Sequence, residues 1–284
     1  MRGAPPGSTR LNEAQRGSCA LLGTPGRDVS NVAQISGSAK ELYLPLRRRG
    51  TKGFKKVKRM LSFPPPASHA GEEHVILHIG TQLVMDIYTG GLFETNSYYL
   101  SGARILVDAP EGAAAWLAGR GYKVETLLLT HGHVDHVWDA AQIQREHGCE
   151  VVYHPDTAPM VTDPDFFARA GFPWRVEPLT AGSLVGEKES ASWGGVEFEV
   201  LEVPGHCPGS LCFLRKEDGV LFGGDVLFAG SVGRWDLPGG DRDLLLRGIR
   251  HKLLPLGDEI KVLPGHGPAT TIGEERLHNP YLEP

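Results

Sequence analysis

The residues Thr-His-Gly-His-Val-Asp-His at positions 130–136 place three histidines and one aspartate within six consecutive positions of this 284-residue chain. They directly follow Val124–Leu129, a mostly apolar run of the length that a buried strand has. Imidazole nitrogens and carboxylate oxygens are the ligands that a borderline metal ion such as Zn²⁺ prefers. A loop whose histidines only form hydrogen bonds is the alternative. Four ligand-type side chains at this spacing favour a metal site at the end of a strand.

The side chains of this loop have two directions available to them. Residues two positions apart on a loop can point the same way, so His131 and His133 are predicted to share one metal ion. Asp135 and His136 are then predicted to turn toward a second metal ion. The loop therefore predicts a centre that holds two metal ions.

Three later positions repeat this design. His206, Asp225 and His266 each follow a predicted strand, and a glycine precedes each of them directly. Glycine lets the backbone approach other groups closely and adopt positive φ where a bulkier residue would clash. A lone histidine or aspartate at the end of a strand is usually structural. Three of them on glycine turns are predicted to complete the metal centre.

The rest of the pattern predicts a mixed fold. Strands are expected where short runs rich in β-branched and aromatic residues occur, and helices where apolar residues recur every three or four positions. Strands are predicted over residues 75–79, 82–88, 95–100, 104–107, 124–129, 151–153, 196–203, 210–214, 220–222 and 261–263, and helices over residues 113–118, 138–147 and 243–254. Strands and helices alternate first, and strands dominate later. This order predicts an α+β fold in which sheets pack together with helices outside.

Charge divides the chain into two parts. Residues 1–69 contain 13 lysines and arginines against 3 acidic residues, whereas the remaining residues contain 16 against 31. This break predicts a basic, disordered N-terminal extension over residues 1–70 and a separate acidic domain over residues 71–284. The extension has three interpretations. It is an organellar targeting segment, a basic tail that touches nucleic acid or an anionic membrane, or a non-functional extension translated from upstream of the true start.

Composition also excludes several classes of protein. No apolar run approaches the ~20 residues that a membrane-spanning helix needs, so a membrane protein is not expected. The four cysteines show no CxxC pair and no disulfide-framework spacing. A cytoplasmic location is therefore expected, or an organellar one if the extension is a targeting segment. The acidic domain disfavours nucleic acid as a partner, except through the basic extension.

The pattern of residues 131–136, followed in order by a histidine, an aspartate and a histidine, resembles the metallo-β-lactamase superfamily. The resemblance covers about residues 75–278. It implies an αββα sandwich with two divalent metal ions at one edge of its two sheets. The ligands that it implies are His131, His133 and His206 for one ion, Asp135, His136 and His266 for the other, and Asp225 as a bridge between them.

Residues 225–240 are similar to the corresponding part of short glyoxalase II-like hydrolases. This similarity implies a metal-dependent hydrolase of thioesters, like hydroxyacylglutathione hydrolase, acting on a small thioester or ester substrate. It also implies that Arg234 lies near the metals and pairs with a substrate carboxylate. The alternative for Arg234 is an internal ion pair with Asp236 or Asp241. In similar sites the aspartate matching Asp135 orients the nucleophile, so Asp135 is the expected catalytic residue.

The chemistry expected of such a site is attack on a carbonyl by a metal-bound hydroxide, because two close divalent ions lower the pKa of a shared water. Zinc is the expected metal, with iron or manganese as alternatives. Gly267-Pro268 replaces the Glu-Tyr pair that follows the last histidine in full-length glyoxalase II, so glutathione specificity does not follow. Two other functions stay open on the same fold: an iron-dependent persulfide dioxygenase and a nucleic-acid-processing enzyme.

Overall fold

The computed structural model describes residues 77–79 and 83–283. The predicted extension over residues 1–70 lies outside the described residues, and so does its boundary with the predicted domain. The strands are β1 (Leu77–Ile79), β2 (Leu83–Gly90), β3 (Thr95–Leu100), β4 (Ile105–Val107), β5 (Thr126–Leu128), β6 (Glu150–Tyr153), β7 (Ser183–Leu184), β8 (Lys188–Trp193), β9 (Val196–Glu202), β10 (Leu211–Arg215), β11 (Val220–Gly224), β12 (Leu227–Phe228), β13 (Ser231–Val232), β14 (Lys261–Pro264) and β15 (Thr270–Thr271).

Helices cover both outer faces of the fold. The α-helices are α1 (Ala113–Arg120), α2 (Val134–Val137), α3 (Ala140–His147), α4 (Ala158–Thr162), α5 (Phe166–Arg169), α6 (Arg242–Gly248) and α7 (Ile272–His278). A π-helical segment, Ile249–Leu253, continues α6, and short 3-10 turns occur at Pro155–Thr157 and Leu254–Leu256. Within the described ranges, no helix has the length and apolar character needed to span a bilayer.

Two sheets form the centre of the molecule. The first sheet runs in the order β1 to β7, antiparallel as far as β4 and parallel from β4 to β7. The second sheet has the order β15-β14-β11-β10-β9-β8, with β11 and β14 parallel. Parallel strands have their carboxyl ends at the same edge of a sheet. Each sheet therefore brings the loops that follow its parallel strands to one edge.

Three apolar cores hold the layers together. Side chains between the two sheets form the central core, which includes Ile105, Leu128, Phe213, Phe222 and Leu263. A second core lies between the first sheet and α1, α3 and α4, and a third between the second sheet and α6, α7 and the π-helical segment. The layers are helix, sheet, sheet and helix, so the expected αββα sandwich is confirmed.

The predicted elements occur with small shifts of their ends, whereas the short elements β7, β12, β13, β15, α2, α4, α5 and α7 were not predicted. Two longer regions also differ from the prediction. The helix predicted over residues 243–254 is α6 followed by π-helical turns, although Leu245, Ile249 and Leu253 still face the core as their spacing required. Strand β8 was not predicted. It reads Lys-Glu-Ser-Ala-Ser-Trp, and as the edge strand of its sheet it buries only part of its side chains.

Candidate metal centre

Every predicted ligand lies on a segment that follows the carboxyl end of a strand, and two of them, Asp135 and His136, lie in the short helix α2. Residues 131–136 follow β5 of the first sheet, and His206 follows β9 of the second. Asp225 comes directly after β11, and His266 comes two residues after β14. The loops of the two sheets meet, because Thr95 of β3 forms a β-bridge with His266. One edge of the sandwich therefore gathers loops from both sheets.

The structure brings all seven predicted ligands together at this edge. Within each of three groups, the possible ligand atoms lie within 4.8 Å of one another. The groups are His131, His133 and His206; Asp135, His136 and His266; and His131, His136 and Asp225. We call these seven residues the ligand cluster. The first two groups match the two sets that the resemblance implies, and the third places Asp225 between them.

Hydrogen bonds fix the orientation of two rings in the ligand cluster. His136 Nδ1 donates to Asp108 Oδ2 at 2.8 Å. His131 Nδ1 lies 3.1 Å from Thr130 Oγ1, which itself donates to Asp108 Oδ2 at 2.8 Å. With Nδ1 acting as the donor, Nε2 of each ring faces the interior of the cluster. Asp108 therefore holds two ligand rings, one directly and one through a hydroxyl.

Backbone carbonyls hold two more rings. His206 Nδ1 donates to the carbonyl oxygen of Arg234 at 2.7 Å, and His266 Nδ1 donates to the carbonyl oxygen of Phe93 at 3.0 Å. Both rings again turn Nε2 inward. His206 Nε2 approaches His131 Nε2 to 3.2 Å, a distance at which two nitrogen lone pairs need a proton or a cation between them.

Asp225 faces both ends of the ligand cluster. Its Oδ1 lies 3.2 Å from His136 Nε2, and its Oδ2 lies 3.5 Å from His206 Nε2 and 3.3 Å from His266 Nε2. Asp135 Oδ2 lies 3.2 Å from His266 Nε2 and accepts a 2.9 Å hydrogen bond from Thr95 Oγ1. The two carboxylates thus stand among inward-facing imidazole nitrogens.

Unpartnered atoms in the interior fit a bound cation. His136 Nε2 and Asp225 Oδ1 are buried and form no hydrogen bond within the described residues. Buried polar atoms are nearly always partnered, so such a pair needs an explanation. A divalent cation would accept the lone pairs of both atoms. The chain also keeps this space open, because a Cβ at Gly265 would collide with Asp225 Oδ1 and lie 2.6 Å from His136 Cε1.

The carboxylates make two histidines basic. Burial alone lowers the pKa of His136, but the charges of Asp225, Asp135 and Asp108 outweigh burial and raise that pKa well above its ordinary value. Burial likewise lowers the pKa of His266, and hydrogen bonds with Asp135 and Asp225 outweigh it, raising the pKa to about 10. A metal ion at this end would therefore compete with protons.

The same charges keep the carboxylates ionised. Burial raises the pKa of Asp135, but His136 and His266 outweigh that effect and lower the pKa to about 2. Burial also raises the pKa of Asp225, and the charge of the neighbouring His136 outweighs burial and holds that pKa well below its ordinary value. Both groups are anions at neutral pH. They carry the negative charge that a pair of divalent cations requires.

Three other histidines are held in the neutral form that binds metals. Burial and the neighbouring imidazoles lower the pKa of His131 well below its ordinary value and lower the pKa of His133 to about 3. Burial also lowers the pKa of His206. A neutral imidazole with a free nitrogen is ready to bind a cation without losing a proton.

Sequence reasoning did not identify Asp108. This residue directly follows β4, and its φ of 59° lies in the left-handed region, which is uncommon for a residue other than glycine. Its Oδ1 accepts from the backbone N–H of Thr130 at 2.8 Å, in addition to the contacts described above. A signal was present in the sequence, because Asp108 follows a predicted strand just as Asp225 does.

Asn96 was also not identified. Its side chain is 6% exposed and donates to the carbonyl oxygens of Pro264 and Gly267, at 3.1 and 2.9 Å. These two residues flank the loop that carries His266. No motif in the sequence points to this contact, because it joins positions that lie 168 and 171 residues apart.

The carbonyl oxygens of Arg234 and Phe93 hold His206 and His266, and the side chains of both residues are exposed. We call Phe93 and Arg234 the mouth of the site. The Nε and a terminal nitrogen of Arg234 donate to the two carboxylate oxygens of Asp236, at 2.8 and 3.0 Å. The Arg234 side chain is 52% exposed, and its carbonyl oxygen accepts the hydrogen bond of His206 described above. The internal ion pair is therefore present, and the expected contact with a substrate carboxylate stays a prediction.

An αββα sandwich with clustered histidines and aspartates at the edge that its sheets share defines the class of metallo-hydrolases. The chain belongs to the metallo-beta-lactamase superfamily, whose family model matches residues 90–266. The resemblance seen in the sequence is thereby confirmed.

Several proteins are similar over most of the described region. An uncharacterized protein of Mycobacterium tuberculosis is 36% identical over 219 residues, which cover 69% of this chain and 96% of that protein. Hydroxyacylglutathione hydrolase GloC of Haemophilus influenzae is 42% identical over 161 residues, covering 56% of this chain and 76% of that protein. The probable metallo-hydrolase YqgX of Bacillus subtilis is 32% identical, covering 68% and 94%.

Solved structures agree with these relatives. The BLEG-1 B3 metallo-beta-lactamase is 35% identical with a TM-score of 0.64, covering 70% of this chain and 99% of that chain. TTHA1623, solved in a di-iron-bound form, is 37% identical with a TM-score of 0.61, covering 69% and 99%. ETHE1 from Myxococcus xanthus has 24% identity and a TM-score of 0.56, so it shows likeness of fold alone.

Proposed function

We propose that this protein hydrolyses small thioesters at a centre that holds two divalent metal ions. One observation carries the proposal: the carboxylate of Asp225 turns one oxygen toward His136 and the other toward His206 and His266. A carboxylate in that position can bridge two ions. The remaining members of the ligand cluster divide into a set of three on each side of it.

The proposed ligands follow this division. His131, His133 and His206 hold one ion; Asp135, His136 and His266 hold the other; and Asp225 binds both. Zinc is the proposed metal, and iron is the first alternative because TTHA1623 was solved in a di-iron-bound form. Bound divalent ions supply a lowered pKa for water and a Lewis acid for the substrate carbonyl.

Asp135 is the proposed catalytic residue among these ligands. Its low pKa keeps it ionised, so it accepts hydrogen bonds and does not donate them. The hydroxyl of Thr95 donates to Oδ2, which fixes the orientation of the carboxylate within the ligand cluster. An ionised, fixed acceptor can take a hydrogen bond from the attacking water and aim it at the carbonyl carbon.

A thioester is the proposed substrate because of one relative. Hydroxyacylglutathione hydrolase GloC is named for hydrolysis of such a compound, and it is 42% identical to the aligned part of this chain. A β-lactam is the second candidate, since the BLEG-1 structure is named as a metallo-beta-lactamase. Both substrates present an electrophilic carbonyl, so the geometry of the ligand cluster does not separate them.

Metal analysis and a substrate panel test the proposal. The purified chain is loaded with Zn²⁺, Mn²⁺ or Fe²⁺ and given S-D-lactoylglutathione, simple acyl thioesters, a β-lactam and a persulfide. Two metal ions per chain and hydrolysis of a thioester are expected. Turnover of the β-lactam alone would favour the second candidate. One iron per chain with oxygen uptake on the persulfide would replace hydrolysis with dioxygenase chemistry.

A further inference from the structure

Three aromatic rings form a group that reaches the ligand cluster through the backbone of Phe93, and no part of the proposed mechanism uses them. The ring of Phe93 meets the ring of Trp174 edge to face, with centroids 5.8 Å apart. Trp174 stacks on Phe172 with centroids 5.4 Å apart and rings inclined by 10°. Phe172 and Trp174 pack against the core between the first sheet and its helices. We call Phe93, Phe172 and Trp174 the aromatic shelf.

The aromatic shelf is tied directly to the metal centre. The carbonyl oxygen of Phe93 accepts the 3.0 Å hydrogen bond from His266 Nδ1, so the residue that carries this ring is in direct contact with a ligand. The ring of Phe228 lies 6.2 Å from the ring of His266, centroid to centroid, and adds a second apolar group. His266 thus meets one aromatic ring directly, and the residue whose carbonyl oxygen holds it carries a second.

The tip of the shelf is apolar and exposed. Phe93 is 41% exposed, and Leu92 before it is 65% exposed. The loop is a tight turn, in which the backbone N–H of Glu94 donates to the carbonyl oxygen of Gly91 at 3.3 Å and Glu94 adopts a positive φ of 54°. A non-glycine residue in that region costs free energy and persists where the surroundings enforce it. This turn therefore presents the exposed ring of Phe93 next to the ligand that its carbonyl oxygen holds, which is how an apolar binding surface is preorganised.

The residue that holds His206 has the reverse character. His206 is held by the carbonyl oxygen of Arg234, whose side chain is charged and paired with Asp236. The mouth is thus ionic beside His206 and aromatic beside His266. A substrate that fits both sides carries a polar or anionic group at one end and an apolar group at the other.

We propose that the aromatic shelf binds an apolar, preferably aromatic, group attached next to the thioester carbonyl. The inference rests on the proposed function and narrows its substrate class. The apolar group can belong to the acyl part or to the thiol part of the thioester, since the shelf recognises the same chemistry in either. A flat ring placed on Phe93 and Trp174 gains dispersion and removes apolar surface from water.

Two series of substrates test the shelf. In the acyl series, acetyl and phenylacetyl thioesters share the thiol N-acetylcysteamine; in the thiol series, N-acetylcysteamine and 2-phenylethanethiol share an acetyl group. In each series, kcat/KM for the substrate with the phenyl group is divided by kcat/KM for the substrate without it. This ratio is compared between the native chain and Phe93→Gln, so that the intrinsic reactivity of the substrates cancels. We expect the ratio to fall about tenfold in at least one series. Leu277→Gln is the control, because Leu277 is 72% exposed on α7.

Direct binding gives a readout that needs no turnover. The S-(2-phenylethyl) thioether of N-acetylcysteamine replaces the carbonyl carbon by a methylene and cannot be hydrolysed. Its binding is expected to quench the fluorescence of the metal-loaded chain, and Trp174→Phe is expected to remove that signal while keeping an aromatic ring.

The outcomes separate the two proposals. A ratio that Phe93→Gln leaves unchanged in both series, or a quench that survives Trp174→Phe, overturns the shelf. An enzyme that hydrolyses no thioester but shows the Trp174 signal keeps the shelf and loses the proposed function. Phe93→Leu guards against misfolding as an explanation, because it retains an apolar side chain and is expected to retain part of the ratio.

Discussion

The ligand cluster and the mouth around it are built in different ways. His131 and His136 are 1% and 0% exposed, and side-chain hydrogen bonds through Asp108 hold them. Phe93 and Arg234 are exposed, yet each holds a ligand through its backbone carbonyl. A backbone carbonyl is present whatever side chain the residue carries, so these hydrogen bonds do not depend on the side chain. The difference teaches that side chains at the mouth can change substrate preference while the ligand geometry below them is kept.

The largest effect on activity is expected within the ligand cluster, in the variant Asp135→Ala. This change removes a metal ligand and the acceptor that orients the nucleophile, so hydrolysis should fall by about 10³-fold or more. Asp156→Ala is the matched control, because the side chain of Asp156 is 63% exposed. The measurement is kcat/KM on metal-loaded protein, with metal content determined for both variants. Equal rates in Asp135→Ala and the native chain would remove the mechanism.

The second prediction tests whether Asp108 holds His136 in the orientation that metal binding needs. Asp108→Asn keeps the shape of the side chain but loses the charge that accepts from His136 Nδ1. Metal affinity should fall by roughly 10- to 100-fold, as it does when residues that orient metal-binding histidines are changed. Competition with a chelator measures the affinity. An unchanged affinity together with unchanged thermal unfolding would show that His136 needs no such support.

Much of the ligand cluster could be predicted because its logic is local. Each ligand follows an apolar strand and a glycine precedes most of them, so the sequence showed the residues and the chemistry that they share. The αββα layers could be expected from the resemblance. Asp108 has the same local signature as Asp225, and it was missed because a lone aspartate after a strand is usually structural.

The mouth could not be predicted in the same way. The contact of Phe93 with His266 joins positions 173 residues apart, and it uses a carbonyl that carries no sequence signal. The ion pair of Arg234 with Asp236 was foreseen as one of two interpretations, because the residues are close in sequence. Contacts between distant loops depend on how the two sheets pack against each other. Local patterns in a single sequence do not predict that packing.

The third prediction concerns pH. His266 has its pKa raised to about 10, so its proton stabilises the fold fully below about pH 6.5 and this contribution is lost as pH rises through about 10. A metal ion displaces protons from His266 and His136, so metal affinity must rise with pH over the same range. Each displaced proton makes the affinity rise about tenfold per pH unit.

The slope of metal affinity against pH measures this coupling. Chelator competition between about pH 6.5 and 8.5 gives the slope for the native chain and for His266→Ala. The variant binds more weakly at every pH, but its slope should be smaller by about one proton, since one displaced proton is gone. Equal slopes would mean that the carboxylates do not hold a proton on His266.

The smallest effect on the fold is expected at the mouth, in Arg234→Gln. An exposed ion pair contributes about 0–1 kcal/mol, and the carbonyl that holds His206 remains in the variant. The free energy of unfolding should therefore change by less than about 1 kcal/mol, as in the control Arg276→Gln, whose Nε lies 2.8 Å from Asp258 Oδ1 just as that of Arg234 lies from Asp236.

The substrate separates these two arginine variants. If Arg234 leaves Asp236 to pair with a substrate carboxylate, Arg234→Gln should raise KM about tenfold for thioesters with an anionic acyl group and much less for neutral ones, with kcat nearly kept. Arg276→Gln should change neither constant. A loss of kcat instead of a rise in KM would show that the side chain of Arg234 helps to hold the ligand geometry. The side chains of the mouth would then not act independently of the ligand cluster.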